Sequence, residues 1–255
     1  MGKDKLRRFA ENLTFKNFIQ PEFDEIFHRD HPLKGNWRKD FFHNDNPIVL
    51  ELGCGRGEYT VALAAKFPDR NFIGIDIKGA RMWAGAKQAE LAGIKNVAFL
   101  RTNIEMISHF FAPDEVAEIW ITFPDPQMKK ATKRLTSTYF MARYRQLLRP
   151  DGLIHLKTDS PFLYTYTQAM VKENQYPILV DTDDLYGDEA MRLLGDEASE
   201  ARALQTHYEH QWLDRGLTIK YIVWQLPAEP QLIEPEVEIE KDTYRSYGRN
   251  YTSSL

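Results

Sequence analysis

The feature that most constrains the fold is an alternation of strand and helix patterns that begins at Ile48. The β-branched apolar run IVLEL is followed by the glycine cluster GCGRG and then by EYTVALAAKF, whose apolar residues recur at helical spacing. The same order returns in NFIGIDI and GARMWAGAKQAELAG, and VAFLR adds a third strand. Consecutive strand–helix units of this kind predict a parallel sheet that is covered by helices on both faces.

The alternation continues toward the C-terminus. EIWITF predicts a fourth strand and LIHLKT a fifth, with a helix from about Thr136 to Leu148 and a turn at residues 150–152 between them. A helix is expected after Asp159, and LTIKYIVWQL alternates like an antiparallel strand at a sheet edge. We therefore predict an α/β fold: a doubly wound, Rossmann-like, mostly parallel sheet with an antiparallel edge strand.

Length and patterning predict one domain with two extensions. A chain of 255 residues with 43% hydrophobic content has enough apolar side chains for one large core. Residues 1–46 mix aromatic and charged side chains without a sustained period, so we expect an N-terminal arm that packs on the core. Residues 47–227 form the expected α/β domain. Residues 228–255 are acidic, proline-rich and finally tyrosine-rich, which predicts a tail that is disordered or lies on the surface.

Composition disfavours several classes of protein. No stretch approaches the ~18 consecutive apolar residues of a membrane span. The segment MGKDKLRRFAENL lacks the apolar centre of a signal peptide, so we expect a cytoplasmic protein without membrane contact. Cys54 is the only cysteine, which excludes an internal disulfide framework and a multi-cysteine zinc site. His28 with His31, and His207 with His210, have a spacing of three residues that could chelate a metal, but no third ligand is evident and we expect no metal site.

Charge is distributed unevenly along the chain. The net charge of −4 argues against binding nucleic acid by bulk charge alone. Between residues 127 and 150, however, the charged residues are all basic, which predicts a local positive field unless they line an ordinary solvated helix face. These residues are Lys129, Lys130, Lys133, Arg134, Arg143, Arg145 and Arg149. The acidic runs at residues 181–200 and 229–242 are typical of solvated surface.

The loop after the first strand is the expected ligand site, because open parallel sheets bind ligands beyond the carboxyl ends of their strands. Gly53, Gly55 and Gly57 let the backbone turn sharply and approach a ligand closely. A dinucleotide-binding loop would have a third glycine where this chain has Glu58, and a carboxylate disfavours a pyrophosphate. With Glu51 at the end of the strand, the loop favours a cationic ligand such as S-adenosylmethionine.

Two further polar residues follow neighbouring strands. Asp76 ends the second strand, where its carboxylate could accept hydrogen bonds from ribose hydroxyls; the less favoured alternative is a cap on the next helix. Asn103 follows the third strand, where its amide could reach an adenine ring. We therefore expect Glu51, Gly53, Gly55, Asp76 and Asn103 to bind the cofactor.

The fourth predicted strand ends in Phe123-Pro124-Asp125-Pro126, and the basic segment follows at once. Two prolines restrict the backbone around Asp125 and hold its carboxylate at a small loss of entropy. A fixed carboxylate beside a sulfonium, next to cations suited to phosphate, indicates a nucleic-acid acceptor. Asp125 is the predicted catalytic residue and a further cofactor contact.

Six motifs now stand in order along residues 48–226: ELGCGRGEY, FIGID, ITFPDPQMKK, KRLT, LKTDSPF and THYEHQWLDRG. In sequence and spacing they resemble the bacterial tRNA (guanine-N7-)-methyltransferase family. The resemblance implies methyl transfer from S-adenosylmethionine to N7 of guanine 46 in the variable loop of tRNA. It also implies that Glu51, Asp76, Asn103 and Asp125 line the cofactor and reaction site.

The resemblance further implies which residues contact the RNA. They are Lys129, Asp159, Thr206, His207, Tyr208 and Glu209. A donor on N7 would block the lone pair that must attack, so guanine has to be recognised from its other edge, where N1–H and the exocyclic amine need an acceptor. Asp159 and Glu209 are the candidates for that acceptor.

The chain departs from the family pattern at three points. Gln127 stands where tryptophan is usual, Asn103 stands where aspartate is usual, and the basic stretch before KRLT is about two residues shorter. These departures concern RNA docking at that loop and the strength of cofactor binding. Two alternatives remain open: a methyltransferase for another acceptor, and a catalytically silent RNA-binding protein on the same fold. The sequence leaves both a monomer and a homodimer open.

Overall fold

The computed structural model describes residues 2–27, 29–193, 196–229 and 231–243. Eight strands of this described chain pair into one sheet. They are β1 (Phe18–Ile19), β2 (Ile48–Leu52), β3 (Asn71–Asp76), β4 (Val97–Arg101), β5 (Val116–Thr122), β6 (Leu148–Thr158), β7 (Ile178–Thr182) and β8 (Lys220–Gln225). Their order across the sheet is β1-β4-β3-β2-β5-β6-β8-β7.

The sheet is mostly parallel, as predicted. Every pair from β1 to β6 along that order is parallel, and β8 is antiparallel to both β6 and β7. The antiparallel end of the sheet is thereby confirmed, with β8 one position inside the outermost strand. That outermost strand, β7, was not predicted, because four of its five residues are at least partly exposed and give no buried apolar run.

Helices cover both faces of the sheet. The α-helices of the described chain are α1 (Gly2–Asn12), α2 (Phe23–Phe27), α3 (Glu58–Lys66), α4 (Gly79–Ala92), α5 (Thr138–Tyr144), α6 (Pro161–Glu173), α7 (Asp188–Leu193), α8 (Asp196–Arg202) and α9 (His207–Leu213). A π-helical turn spans Trp37–Phe42, and 3-10 turns span Ile104–His109 and Ala131–Lys133. Across the described residues, none of the helices has the length and apolar character needed to traverse a bilayer.

Successive residues of each central strand enter two separate apolar cores. Leu50 and Ile73 pack on one face with α5 and α6, whereas Val49 and Phe72 pack on the other face with α3 and α4. Both faces are therefore buried, which explains why these strands are continuous apolar runs and not alternating ones.

One predicted boundary was wrong. The helix expected from about Thr136 to Leu148 is shorter, because α5 begins at Thr138 and Leu148 already pairs with Val116 in the sheet. The predicted turn at residues 150–152 lies inside β6 as an irregularity: the next paired residue is Leu153, opposite Glu118. Pairing at Leu148 took precedence over the local helical pattern.

The N-terminal residues contribute to the sheet and to its cover. β1 pairs with β4, and α1 packs on α4, where the Asn12 side chain donates to the Gly79 carbonyl oxygen at 3.0 Å. Trp37 is fully buried, and its indole N–H donates to the Phe110 carbonyl oxygen at 2.8 Å.

The described part of the C-terminal segment lies against α5 and α6. Asn174 exchanges two hydrogen bonds with the backbone of Ile233, at 2.7 and 2.8 Å. Asp242 is buried and accepts hydrogen bonds from the Ser160 hydroxyl and, at 3.0 Å, from the Phe162 amide. The expectation of solvated surface for residues 229–242 is thus wrong at Asp242. Residues 244–255 of the predicted tail lie outside the described residues.

Two glycines allow the packing around the first loop to be tested. Gly57 and Gly93 both have left-handed backbones, with φ of +74° and +67°. A Cβ atom at Gly57 would lie 2.4 Å from the ring of Phe99, whereas at Gly93 it would meet nothing within 4 Å.

We expect Gly57→Ala to destabilise the protein more than Gly93→Ala. Both changes carry a left-handed strain of about 1 kcal/mol, and only Gly57→Ala adds overpacking of about 1–3 kcal/mol. Urea unfolding of the two variants measures the difference in unfolding free energy. Equal losses would mean that the loop and Phe99 are not in close contact.

Candidate active site

The glycine loop lies at the carboxyl end of β2 and is tied to its neighbour β3. The amides of Gly53 and Cys54 donate to the Ile75 carbonyl oxygen at 2.8 and 3.1 Å, and the Gly55 amide donates to the Asp76 carboxylate at 3.0 Å. Gly53 and Gly55 have φ of +77° and +56°, and a Cβ at either would have no neighbour closer than 3.9 Å. The loop therefore has room for a ligand on the side of these two glycines.

Asp76 and Asn103 occupy the predicted edge of the sheet. Asp76 also accepts from the Lys78 amide at 2.8 Å, and α4 begins only at Gly79 without a side-chain cap, so Asp76 braces the loop and does not cap the helix. Asn103 is exposed and caps the following 3-10 turn by accepting from the Glu105 amide at 3.2 Å. Both side chains stand at the ends of neighbouring strands.

Glu51 is buried beneath the loop. Its two carboxylate oxygens accept hydrogen bonds from the hydroxyls of Thr60 and, at 2.6 Å, Thr122. Burial raises the pKa of Glu51 to about 7, and the two hydroxyls oppose that shift only in part. The carboxylate is therefore poised to ionise near neutral pH when a cation approaches.

Asp125 is exposed at the carboxyl end of β5. The Gln127 amide donates to its carboxylate at 3.0 Å, which fixes the side chain. Phe123 and Gln127 have left-handed backbones, with φ of 48° and 46°, so the chain turns sharply on both sides of Asp125. The position of Asp125 at this edge agrees with the sequence prediction.

The basic segment is less open than predicted. Lys133 pairs with Glu105 at 2.8 Å, Arg134 lies over the ring of Tyr166, and Arg143 lies over the ring of Tyr139. Arg145 donates to the Tyr176 hydroxyl, and Arg149 also has internal contacts. Lys129 and Lys130 are exposed, and neither ammonium group has an ion-pair partner within the described chain.

The predicted RNA-contacting residues fall into two groups. Thr206 caps α9, and Tyr208, which is 42% exposed, meets the ring of Phe123 edge-on at 5.9 Å. His207 begins α9, and its side chain lies outside the described part of the chain. Asp159 and Glu209 are fully buried. Neither side chain therefore has exposed surface for a base in this conformation. Glu209 is in addition bound internally to Lys157 at 2.8 Å.

Comparison with known proteins decides the family. Residues 45–221 match the family described as "Putative methyltransferase". A tRNA (guanine-N(7)-)-methyltransferase of Bacteroides thetaiotaomicron is 57% identical over 255 residues, which cover 100% of this chain and 98% of the relative. That of Porphyromonas gingivalis is 58% identical over 244 residues, which cover 94% and 97%. The chain belongs to the tRNA (guanine-N(7)-)-methyltransferase family.

A solved structure supports the fold assignment. The 30S ribosomal A1408 methyltransferase from an uncultured bacterium superposes with a TM-score of 0.52 and 12% identity, covering 77% of this chain and 95% of that one. The Rossmann-like methyltransferase fold and the resemblance read from the motifs are both confirmed. The family match includes all the site residues described above, from Glu51 to Glu209.

Sequence reasoning missed four residues of this site. Thr60 and Thr122 hold Glu51, and Lys157 holds Glu209. Ile77 follows Asp76 and is 54% exposed, an apolar surface at the cofactor edge. An aliphatic residue directly after a strand-ending acid could have indicated Ile77, whereas the partners of buried carboxylates have no local pattern. Within the described chain, no cluster of three or more His, Cys, Asp or Glu side chains could hold a metal ion.

The raised pKa of Glu51 predicts a pH-dependent stability. Between its ordinary value of 4.5 and about 7, the folded chain keeps a proton that the unfolded chain has lost, so stability falls as the pH rises through this window. The loss is on the order of 3 kcal/mol. Glu51→Gln stays neutral and should lack it. Urea unfolding at about pH 5 and about pH 8 compares wild type with Glu51→Gln and with exposed Glu173→Gln as control. Equal pH dependence in all three would contradict the burial of an ionisable Glu51.

Proposed function

We propose that this chain transfers the methyl group of S-adenosylmethionine to N7 of guanine 46 in the variable loop of tRNA, and that it acts in the cytoplasm. The observation that carries the proposal is the placement of Asp125. This exposed, fixed carboxylate stands at one sheet edge between the acidic glycine loop and the unpaired Lys129 and Lys130. The names of the relatives support both the nucleic-acid class and the atom that is methylated.

The residues of the loop fit the proposed cofactor. S-adenosylmethionine supplies a methyl group on a positively charged sulfur. Gly53 and Gly55 leave room for the part of the cofactor that would lie against the loop backbone. Asp76 has a carboxylate for the ribose hydroxyls, and exposed Ile77 offers an apolar surface for the adenine ring. Glu51 lies beneath the loop, where its ionised form is favoured by a nearby cation. Asn103 stands at the adjacent strand end.

The proposed reaction requires alignment of the reactants and electrostatic stabilisation, and it needs no general base. N7 of guanine has a free lone pair at neutral pH, so the enzyme has to align the attacking atom and stabilise the positive charge that moves onto the purine ring. Asp125 is exposed, fixed by the Gln127 amide, and suited to that task. Lys129 and Lys130 would contact phosphates and set the register of the RNA. The ring of Tyr208 contacts that of Phe123, two residues before Asp125, and Thr206 caps the helix that carries Tyr208.

The proposal is tested by methyl transfer to unmodified tRNA. Purified protein is incubated with labelled S-adenosylmethionine and a tRNA transcript, and the product is mapped by cleavage at N7-methylguanine. We expect one labelled position, which disappears when guanine 46 is replaced by adenine. Label at another nucleotide would refute the position. Binding of the tRNA without any methyl transfer would identify a silent RNA-binding protein.

Replacing Asp125 by Asn should lower the rate of the chemical step. Loss of one preorganised charge at a reacting centre reduces turnover roughly 100-fold. The measurement is single-turnover methylation with saturating tRNA and cofactor, together with the two dissociation constants. Asp114→Asn is the matched control, because exposed Asp114 precedes the amino end of the same strand, β5. Unchanged turnover in Asp125→Asn would refute the assigned role.

Replacing Lys129 and Lys130 together by Ala should weaken tRNA binding roughly 10-fold and lower the slope of log affinity against log salt by about 1.5 to 2. Cofactor affinity should stay unchanged. Lys172→Ala, on exposed surface of α6, controls for loss of positive charge. A normal salt slope in the double variant would mean that the phosphates lie elsewhere.

A further inference from the structure

Lys157 is a fully buried lysine on β6. Its ammonium group donates to the carbonyl oxygens of Ala201 and Leu204 at 2.7 and 3.0 Å, and it lies 2.8 Å from the Glu209 carboxylate. Ala201 belongs to the last turn of α8 and Glu209 to α9. One cation therefore fastens the turn between these two helices to the centre of the sheet.

Glu209 faces the interior and not the RNA-facing surface. The Tyr186 hydroxyl donates to the same carboxylate oxygen that Lys157 approaches, at 2.6 Å. The other oxygen, Oε2, is buried and has no hydrogen-bond partner among the residues that the structure describes. Apolar residues of similar volume often serve as well as a buried ion pair for stability alone, so the pair points to a role in fixing one arrangement.

The backbone of Lys157 makes a second contact, with the chain that follows β5. Its carbonyl oxygen accepts from the Phe123 amide at 2.8 Å, at the point where β5 ends. Phe123 meets Tyr208 of α9 edge-on, and Asp125 follows two residues later. Lys157 thus holds Phe123 through its main chain and α9 through its side chain.

We propose that Lys157 is a positioning residue: with Glu209 it sets the Phe123–Tyr208 aromatic pair beside Asp125 as one wall of the pocket for the target purine. Glu209 works from inside, through Lys157, and does not touch the base. An exposed aromatic side chain suits this task because any base presents a face for stacking. The inference deepens the proposed function and rests on it for the identity of the purine.

The experiment compares four variants and one control variant with wild type. Lys157→Met removes the cation, and the double variant Lys157→Met with Glu209→Leu replaces the pair by apolar residues, so that the fold is kept even where the single change fails to fold. Tyr208→Ala, alone and combined with the double variant, tests whether the pair acts through Tyr208. Lys172→Met is the matched control on exposed surface. Melting temperature, cofactor affinity, and KM and kcat for tRNA are measured.

We expect the double variant to melt near the wild-type temperature and to bind the cofactor with unchanged affinity. Its KM for tRNA should rise about tenfold, and the same change should have little further effect in the Tyr208→Ala background, since coupled residues are not additive. A wild-type KM for tRNA in the double variant would mean that Lys157 and Glu209 have only a structural role. Additive losses with Tyr208→Ala would also overturn the proposal.

A separate readout needs no RNA. Amide hydrogen exchange should accelerate over residues 203–214 in the double variant and stay unchanged over residues 48–60. If the wild type methylates no tRNA, the proposed function fails while the exchange result still tests the positioning by Lys157. Unchanged exchange over residues 203–214 would show that the pair does not hold α9.

Discussion

Parallel pairing of β3, β2, β5 and β6 is the constraint on which the candidate site depends. It puts the carboxyl ends of these strands on one edge, and each is followed by a residue of the site. Hydrogen bonds that cross this edge lock neighbouring strand ends together: the Gly53 amide donates to Ile75 and the Phe123 amide to Lys157, both at 2.8 Å. Loops that are short and anchored in this way keep functional groups in place without help from a ligand.

The site places charge where a parallel sheet normally has apolar side chains. Glu51 belongs to a strand whose five residues are all buried, and Lys157 and Glu209 are fully buried on the same face as α3 and α8. Burial lowers the pKa of Lys157, and the neighbouring Glu209 carboxylate opposes that shift. These groups are tolerated because hydroxyls, carbonyls and one another replace water as partners.

The sequence was sufficient for features that local patterns determine. Glycines before a helix and apolar runs of four to six residues located the loop and the central strands, and Asp76 and Asp125 were found because each ends such a run. Lys157 was overlooked because lysine in a strand is ordinarily taken as exposed; its partners come from a distant part of the chain. Asp159 and Glu209 were predicted to contact RNA from the family resemblance and from the acceptor that guanine needs, and the sequence has no local pattern that shows their burial.

The distribution of charge explains how an acidic chain can present a surface for RNA. Carboxylates near the edge are turned inward and given donors: Glu51 binds two hydroxyls, Glu209 binds Lys157, and Asp242 binds Ser160 and the Phe162 amide. The nearby basic residues Lys133, Arg134 and Arg143 likewise make contacts within the chain, with Glu105, Tyr166 and Tyr139. Where β5 ends, the carboxylate of Asp125 and the side chains of Lys129 and Lys130 face solvent. Salt screens the interaction between exposed charges within about 8–10 Å at physiological ionic strength. The net charge of −4 of the whole chain therefore does not prevent phosphate from reaching those two lysines.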